Sequence, residues 1–226
     1  METTMNARTA RSVVPGTGTR QLTPVVPPAA RVTMALTGAL LAGVLTSFGQ
    51  AAPGLSSVAN SAGPWFVVAV ALCVLAGVRA GRVALPVAMV LGVVLLELMH
   101  VGYWATSNLR GFPDVLSITN FWVLLGFPAG ALAGAVAVAV RAADVRWRGA
   151  ALGATAAVLV GEGVRALLQV ADTTGPVTWV VEIAVGVAVL LVAVLTARTA
   201  VGRVVALGTG VLGTVGVLAA YLALGG

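Results

Sequence analysis

Residues 83–104 read VALPVAMVLGVVLLELMHVGYW, a run with a single acidic side chain and no Arg or Lys. At about 1.5 Å of rise per helical residue, a run of this length reaches across the ~30 Å hydrocarbon core of a bilayer. It predicts a membrane-spanning helix. Pro86 sits in its first turn, where proline is tolerated.

Similar runs recur at roughly 32–49, 64–80, 120–140, 149–170, 177–197 and 204–224. The fold class expected is therefore all-α, a polytopic bundle of seven transmembrane helices over 32–226. The second run is the shortest, but Gly63-Pro64 gives it a start and Arg79-Ala80-Gly81-Arg82 a tight end. Composition agrees: 59% hydrophobic residues, 9% charged and a mean hydropathy of +1.05 exclude a soluble core. Residues 1–31, with four prolines, four arginines and no apolar period, read as a disordered cytoplasmic tail. They lack the early apolar stretch of a signal peptide.

The formal charge of +6 arises from 13 arginines, with no lysine, against 7 acidic residues. One set of alternate loops carries Arg8, Arg11, Arg20, Arg31, Arg79, Arg82, Arg141, Arg146, Arg148, Arg198 and Arg203, and the other carries Arg110 alone. The positive-inside rule then places the N-terminus in the cytoplasm and the C-terminus outside. Arginines at the ends of apolar runs set orientation, so no nucleic-acid partner is expected. The abundance of Ala, Val, Gly and Arg without Lys points to a GC-rich bacterial genome, hence to a multi-pass protein of a bacterial cell membrane. Trp65, Trp104, Trp122 and Trp179 fall near the outer ends of spans, with Tyr103 and Tyr221, as interfacial aromatics do.

Small residues speak to packing. Gly126, Gly130 and Gly134 share one face of the fourth span, Gly149 and Gly153 open the fifth, and Ala35, Ala39 and Gly43 line the first. Such faces let another backbone come close, first within the chain and alternatively in a homo-oligomer. Pro128 frees a carbonyl near Leu124 and predicts a kink. The single cysteine, Cys73, lies mid-span and reads as a packing thiol, which leaves no intramolecular disulfide and no multi-cysteine metal site.

Glu97, Glu162 and Glu182 lie within the apolar runs, where a carboxylate is expensive unless it finds a partner, a cavity or a proton. Counting residues to the span ends puts all three on the order of 8 to 14 Å below the outer boundary. His100 follows Glu97 by three residues and Arg165 follows Glu162 by three, so each pair shares a helix face. Glu162 with Arg165 reads either as an internal salt bridge or as a charged floor on which Arg165 binds an anionic group. Glu97 with His100 reads either as a packed polar pair or as a proton-accepting site. Glu182 has no partner on its own helix.

Several function classes are excluded by chemistry. Without lysine there is no retinal Schiff base. No GxxxxGK[ST] phosphate loop and no GxSxG nucleophile elbow occurs, and one histidine does not make a zinc motif. No internal repeat of the kind found in many carriers is present. No catalytic motif, cofactor or metal site is expected.

Leu45-Thr46-Ser47-Phe48-Gly49-Gln50, Asn60-Ser61-Ala62-Gly63-Pro64-Trp65, the Arg-flanked turn that follows, Tyr103, Trp122 and Gly161-Glu162-Gly163 together resemble a family of small polytopic actinobacterial membrane proteins catalogued as a domain of unknown function. The resemblance covers most of 32–226. It implies a multi-pass bacterial membrane protein, names no reaction or substrate, and adds weight to Asn60 and Glu162. Two expectations follow. A small-solute binding or transport protein would line an outer-half polar pocket with Glu97, His100, Glu162, Arg165 and Glu182, with Asn60 and Trp65 at the mouth. A structural or assembly subunit would instead keep its charges separate and locally paired.

Overall fold

The computed structural model describes residues 27–79 and 84–224. Most of the expected tail, residues 80–83 with Arg82 of the expected turn, and the last two glycines therefore lie outside the described residues. Within them all regular structure is helical: α1 Pro28–Ala51, α2 Ser56–Ala59, α3 Ala62–Ala76, α4 Ala84–Leu109, α5 Phe121–Ala139, α6 Val145–Gln169, α7 Ala171–Thr174, α8 Val177–Thr196 and α9 Ala200–Leu224. Helix α1 opens at Pro28, so Pro28–Arg31 belong to it rather than to a tail.

Six of these helices, α1, α4, α5, α6, α8 and α9, are long and apolar enough to cross a membrane. The remaining run forms α3, whose 15 residues give about 22 Å of helix, short of the ~30 Å hydrocarbon core. Its ends are set by the sequence. Ser61, in extended conformation, caps the start by accepting from the Gly63 N–H, and Gly77 stops the helix at φ 81°, a left-handed conformation that suits glycine. Asn120 and Asp144 cap α5 and α6 in the same way as Ser61. Helix α5 runs on through Pro128 to Ala139.

Backbone contact between helices occurs where side chains vanish. Gly92 and Gly130 bring α4 against α5, Gly134 meets the Ala88 carbonyl, Gly43 meets the backbone of Met99 and Tyr103, and Gly149 and Gly153 meet the carbonyls of Gly202 and Ala206. The face formed by Gly126, Gly130 and Gly134 is thus filled by α4 of the same chain, and a second copy cannot use it without displacing α4. Helix α6 is the most enclosed of the long helices, packed on α8 and α9 and touching α3 and α5. A core of Phe66, Cys73, Leu95, Leu96 and Met99 holds α3 to α4. Val180, Val181, Leu191, Leu195, Val204 and Leu212 of α8 and α9 remain exposed, a surface suited to lipid rather than water.

The contacts fix the direction of each helix. Val93 of α4 meets Gly130 and Ala88 meets Gly134, an antiparallel pairing; Gly149 meets Gly202 and Gly153 meets Ala206, a parallel one. Trp65 of α3 packs on His100 of α4, and at the other end of α3 Arg141 donates to the Val74 and Val78 carbonyls. Helices α1, α4, α6 and α9 therefore run one way and α3, α5 and α8 the other. One end of the bundle gathers Arg31, Arg79, Arg141, Arg146, Arg148, Arg198 and Arg203. At the opposite end the single-turn helices α2 and α7 are tied together by Ser57 Oγ, which donates to the Thr174 carbonyl at 3.0 Å.

Candidate functional site

Polar chemistry concentrates at the arginine-poor end, around the start of α3. The Ser61 hydroxyl that caps α3 also donates to Glu182 Oε2 of α8 at 2.9 Å. The next N–H, that of Ala62, points to Glu162 Oε1 of α6 at 3.4 Å, and the Tyr221 hydroxyl of α9 donates to Glu162 Oε2. Two carboxyl groups from two helices thus face the N-terminus of a third, where unpaired N–H groups carry partial positive charge. Glu162 is 1% exposed, and a carboxylate so enclosed would be costly without these donors. Glu182, 7% exposed, is served on one side only: its Oε1 has no hydrogen-bond partner and packs where a side chain at Gly63 would stand.

Arg165 does not close an ion pair with Glu162 among the described residues. Its Nε donates to Gln169 Oε1, one turn on, and its guanidinium lies 4.6 Å over the Tyr221 ring. Glu162 takes its hydrogen bonds from Ala62 and Tyr221 instead. The other expected pair does meet: His100 Nδ1 lies 3.6 Å from Glu97 Oε2 on the same face of α4. This exceeds hydrogen-bond length, and His100 Nδ1 and Glu97 Oε1 are both buried without a hydrogen bond. Glu97 Oε1 packs against Gly126 of α5, where any Cβ would collide with it.

His100 opens onto a cavity of about 340 Å³, bounded by the start of α3, α4, α5 and the 110–120 loop. Asn60, Ser61, Trp65, Tyr103 and Asn120 supply its polar and aromatic wall, with Asp114 and Trp122 toward the loop. Trp65 packs on the His100 ring at 4.8 Å and meets Tyr103 edge-on at 6.4 Å. Gln50 of α1 links two elements across the rim, accepting from the Tyr103 hydroxyl at 2.8 Å and donating to Asn60 Oδ1 at 2.6 Å. Beyond it lies a second recess of about 430 Å³, which shares Gln50, Asn60, Tyr103 and Asp114. Arg110 sits in that recess, donating to Ser47 and covering the Phe48 and Phe112 rings.

Of the seven residues singled out from sequence, Asn60, Trp65 and His100 line the cavity. Glu97 stands behind His100. Glu162 and Glu182 lie beneath Ser61 and Ala62, which do line it, and Arg165 lies beyond Tyr221. The two latter glutamates converge, while Glu97 belongs to a separate pair. Gln50, Ser61, Asn120 and Tyr221 were not singled out; Ser61 and Asn120 carry the readable signal of capping residues, and the other two act through contacts distant in sequence. No three His, Cys, Asp or Glu side chains among the described residues come together as a metal site would require.

Apolar helices with lipid-compatible flanks, closed by glycine contacts and carrying buried carboxyl groups at one end, define a membrane-embedded helical protein. The chain belongs to the Family of unknown function (DUF6518), whose model matches residues 23–226. No curated protein and no solved structure matches it.

Proposed function

We propose that this is a seven-span protein of a bacterial cell membrane that binds a small polar solute in the cavity beside His100, with the N-terminus in the cytoplasm and the cavity facing outward. The observation that carries the reading is His100 itself: 9% exposed, with Nδ1 lacking a hydrogen bond, on the wall of a solute-sized cavity. Binding sites of this size combine an apolar or aromatic wall with a few convergent polar groups, as Trp65, Tyr103, Asn60 and Asn120 do here. The arginine distribution supports the orientation. The antiparallel course of α3 between α1 and α4 supports counting it as the seventh crossing, with α2 making up part of the missing length. Transport of the solute would be the natural extension of such a site, and no catalytic step is assigned.

A structural role is the better reading of Glu162, because its two oxygens are both satisfied by donors from other helices. Its network joins α3, α6 and α9 and fixes the floor beneath the cavity.

The test is a thermal-shift panel of amino acids, amines, sugars and carboxylates on the protein in lipid nanodiscs. At least one class is expected to raise the Tm of the wild type, and Asn60→Ala and His100→Ala to abolish that rise while remaining folded. A panel without effect on the wild type would leave the assembly-subunit reading in its place.

A further inference from the structure

We infer that the cavity takes a small organic cation, a quaternary or protonated amine, held against aromatic rings beside the Asp114 carboxylate; this rests on the reading of the cavity as a solute site. Three observations converge. First, among the described residues no Arg lines the cavity, whereas Asp114 does. Arg110, the basic residue nearest in the loop, is engaged in the adjoining recess by Ser47, Phe48 and Phe112.

Second, the side chains that back the wall are carboxyl groups rather than bases. Glu97 backs His100 and Gly126, while Glu162 and Glu182 back Ala62 and Ser61. The positive end of the α3 dipole, which would otherwise favour an anion, is directed at those two carboxyl groups. The Arg165 guanidinium lies over the Tyr221 ring and does not line the cavity.

Third, Trp65, Tyr103 and Trp122 all contribute to the wall. Aromatic faces attract cations through their quadrupole, tryptophan most strongly, and quaternary ammonium ligands are commonly held this way. The amide oxygens of Asn60, Asn120 and Gln50 each accept one hydrogen bond within the protein and keep a second lone pair for an ammonium or hydroxyl without adding charge.

Three probes of nearly one shape separate charge from fit: choline, its neutral carbon isostere 3,3-dimethylbutan-1-ol, and the anion 3,3-dimethylbutanoate, each titrated calorimetrically into the protein in nanodiscs. Choline is expected to bind at least tenfold more tightly than the neutral isostere, and the anion not at all. Asp114→Asn, at a loop position remote from the packed core, is expected to weaken choline several-fold. Trp65→Leu is expected to lose it, while Trp65→Phe retains most of it and reports on folding. Equal binding of choline and the alcohol, or tighter binding of the carboxylate, would overturn the cation assignment and leave the solute site standing. Choline binding indifferent to both Asp114→Asn and Trp65→Leu would overturn it too, since the cation would then sit elsewhere. Failure of all three probes, together with an ineffective solute panel, would remove both readings.

Discussion

The Tyr221 hydroxyl, one turn from the end of α9, donates to the carboxyl of Glu162 in the enclosed helix α6. That bond ties the last helix of the bundle to the floor of the cavity. Tyr221→Phe keeps the ring and its contact with Arg165 but strips Glu162 of a donor. A buried group left short of a partner costs about 1–3 kcal/mol, and we expect a matching fall in stability in detergent unfolding. In a Glu162→Leu background the same change should cost much less, because the two residues act as a unit.

Ser61 has two tasks, capping α3 and donating to Glu182. Ser61→Ala should therefore destabilise by more than the ~1 kcal/mol of a lost N-cap. Repeating the substitution with Glu182→Leu in place isolates the cap. If the two backgrounds lose equal stability, the Ser61–Glu182 bond contributes nothing.

At Gly63 a methyl group would overlap the Glu182 carboxyl and press on Leu159. Overpacking of this kind costs about 1–3 kcal/mol. We expect Gly63→Ala to unfold at lower temperature, and Glu182→Ala to restore part of the loss by vacating that space.

Gly130→Ala would drive a methyl into the backbone of Gly92 and Val93, which cannot swing aside, so α4 and α5 should separate and stability should drop by more than about 1 kcal/mol. Gly216 of α9 has open space around it. There, Gly216→Ala should be neutral or stabilising by up to about 1 kcal/mol from helix propensity. Urea or thermal titration of both variants in one detergent compares them directly.

Accessibility labelling tests the course of α3. In a Cys73→Ala background, single cysteines at Leu55, Asp114 and Thr173 should react with an impermeant maleimide in intact cells. Cysteines at Arg79, Ala142 and Arg198 should react only after lysis. Labelling of Leu55 and Arg79 from the same side would mean that α3 does not cross.

Much of the architecture was legible because hydropathy and charge act locally. The run around Glu97, the arginines at Arg141 and Arg198 and the glycines at Gly130 and Gly134 each announce a span, an end or a contact from their own neighbourhood. Helix α3 was read as extending to residue 80, yet Gly77 adopts a left-handed conformation and ends it at Ala76. The i,i+3 spacing found the Glu97–His100 pair, but it did not reveal the hydrogen bonds of Glu162, since Ala62 and Tyr221 approach from other helices and Arg165 donates to Gln169. Tyr221 looked like an interfacial anchor, and nothing in its neighbourhood reveals a bond to a residue 59 positions earlier. Asn60 and Trp65 were placed at the mouth of a pocket and do line the cavity; Gln50, which bridges its rim, lies in an unremarkable helix end.

The brevity of α3 has a consequence for how the cavity persists. The cavity lies at the start of α3, with α4, α5 and the 110–120 loop around it, and α4 and α5 are locked to each other by glycine contacts. A hollow at the end of a short helix, between two helices locked together, persists through changes of single lining side chains. Filling it takes an insertion: one or two added turns ahead of Ser61 would plug the opening, whereas swapping its lining residues would re-tune what it accepts. The bundle can thus hold its shape while the lining changes.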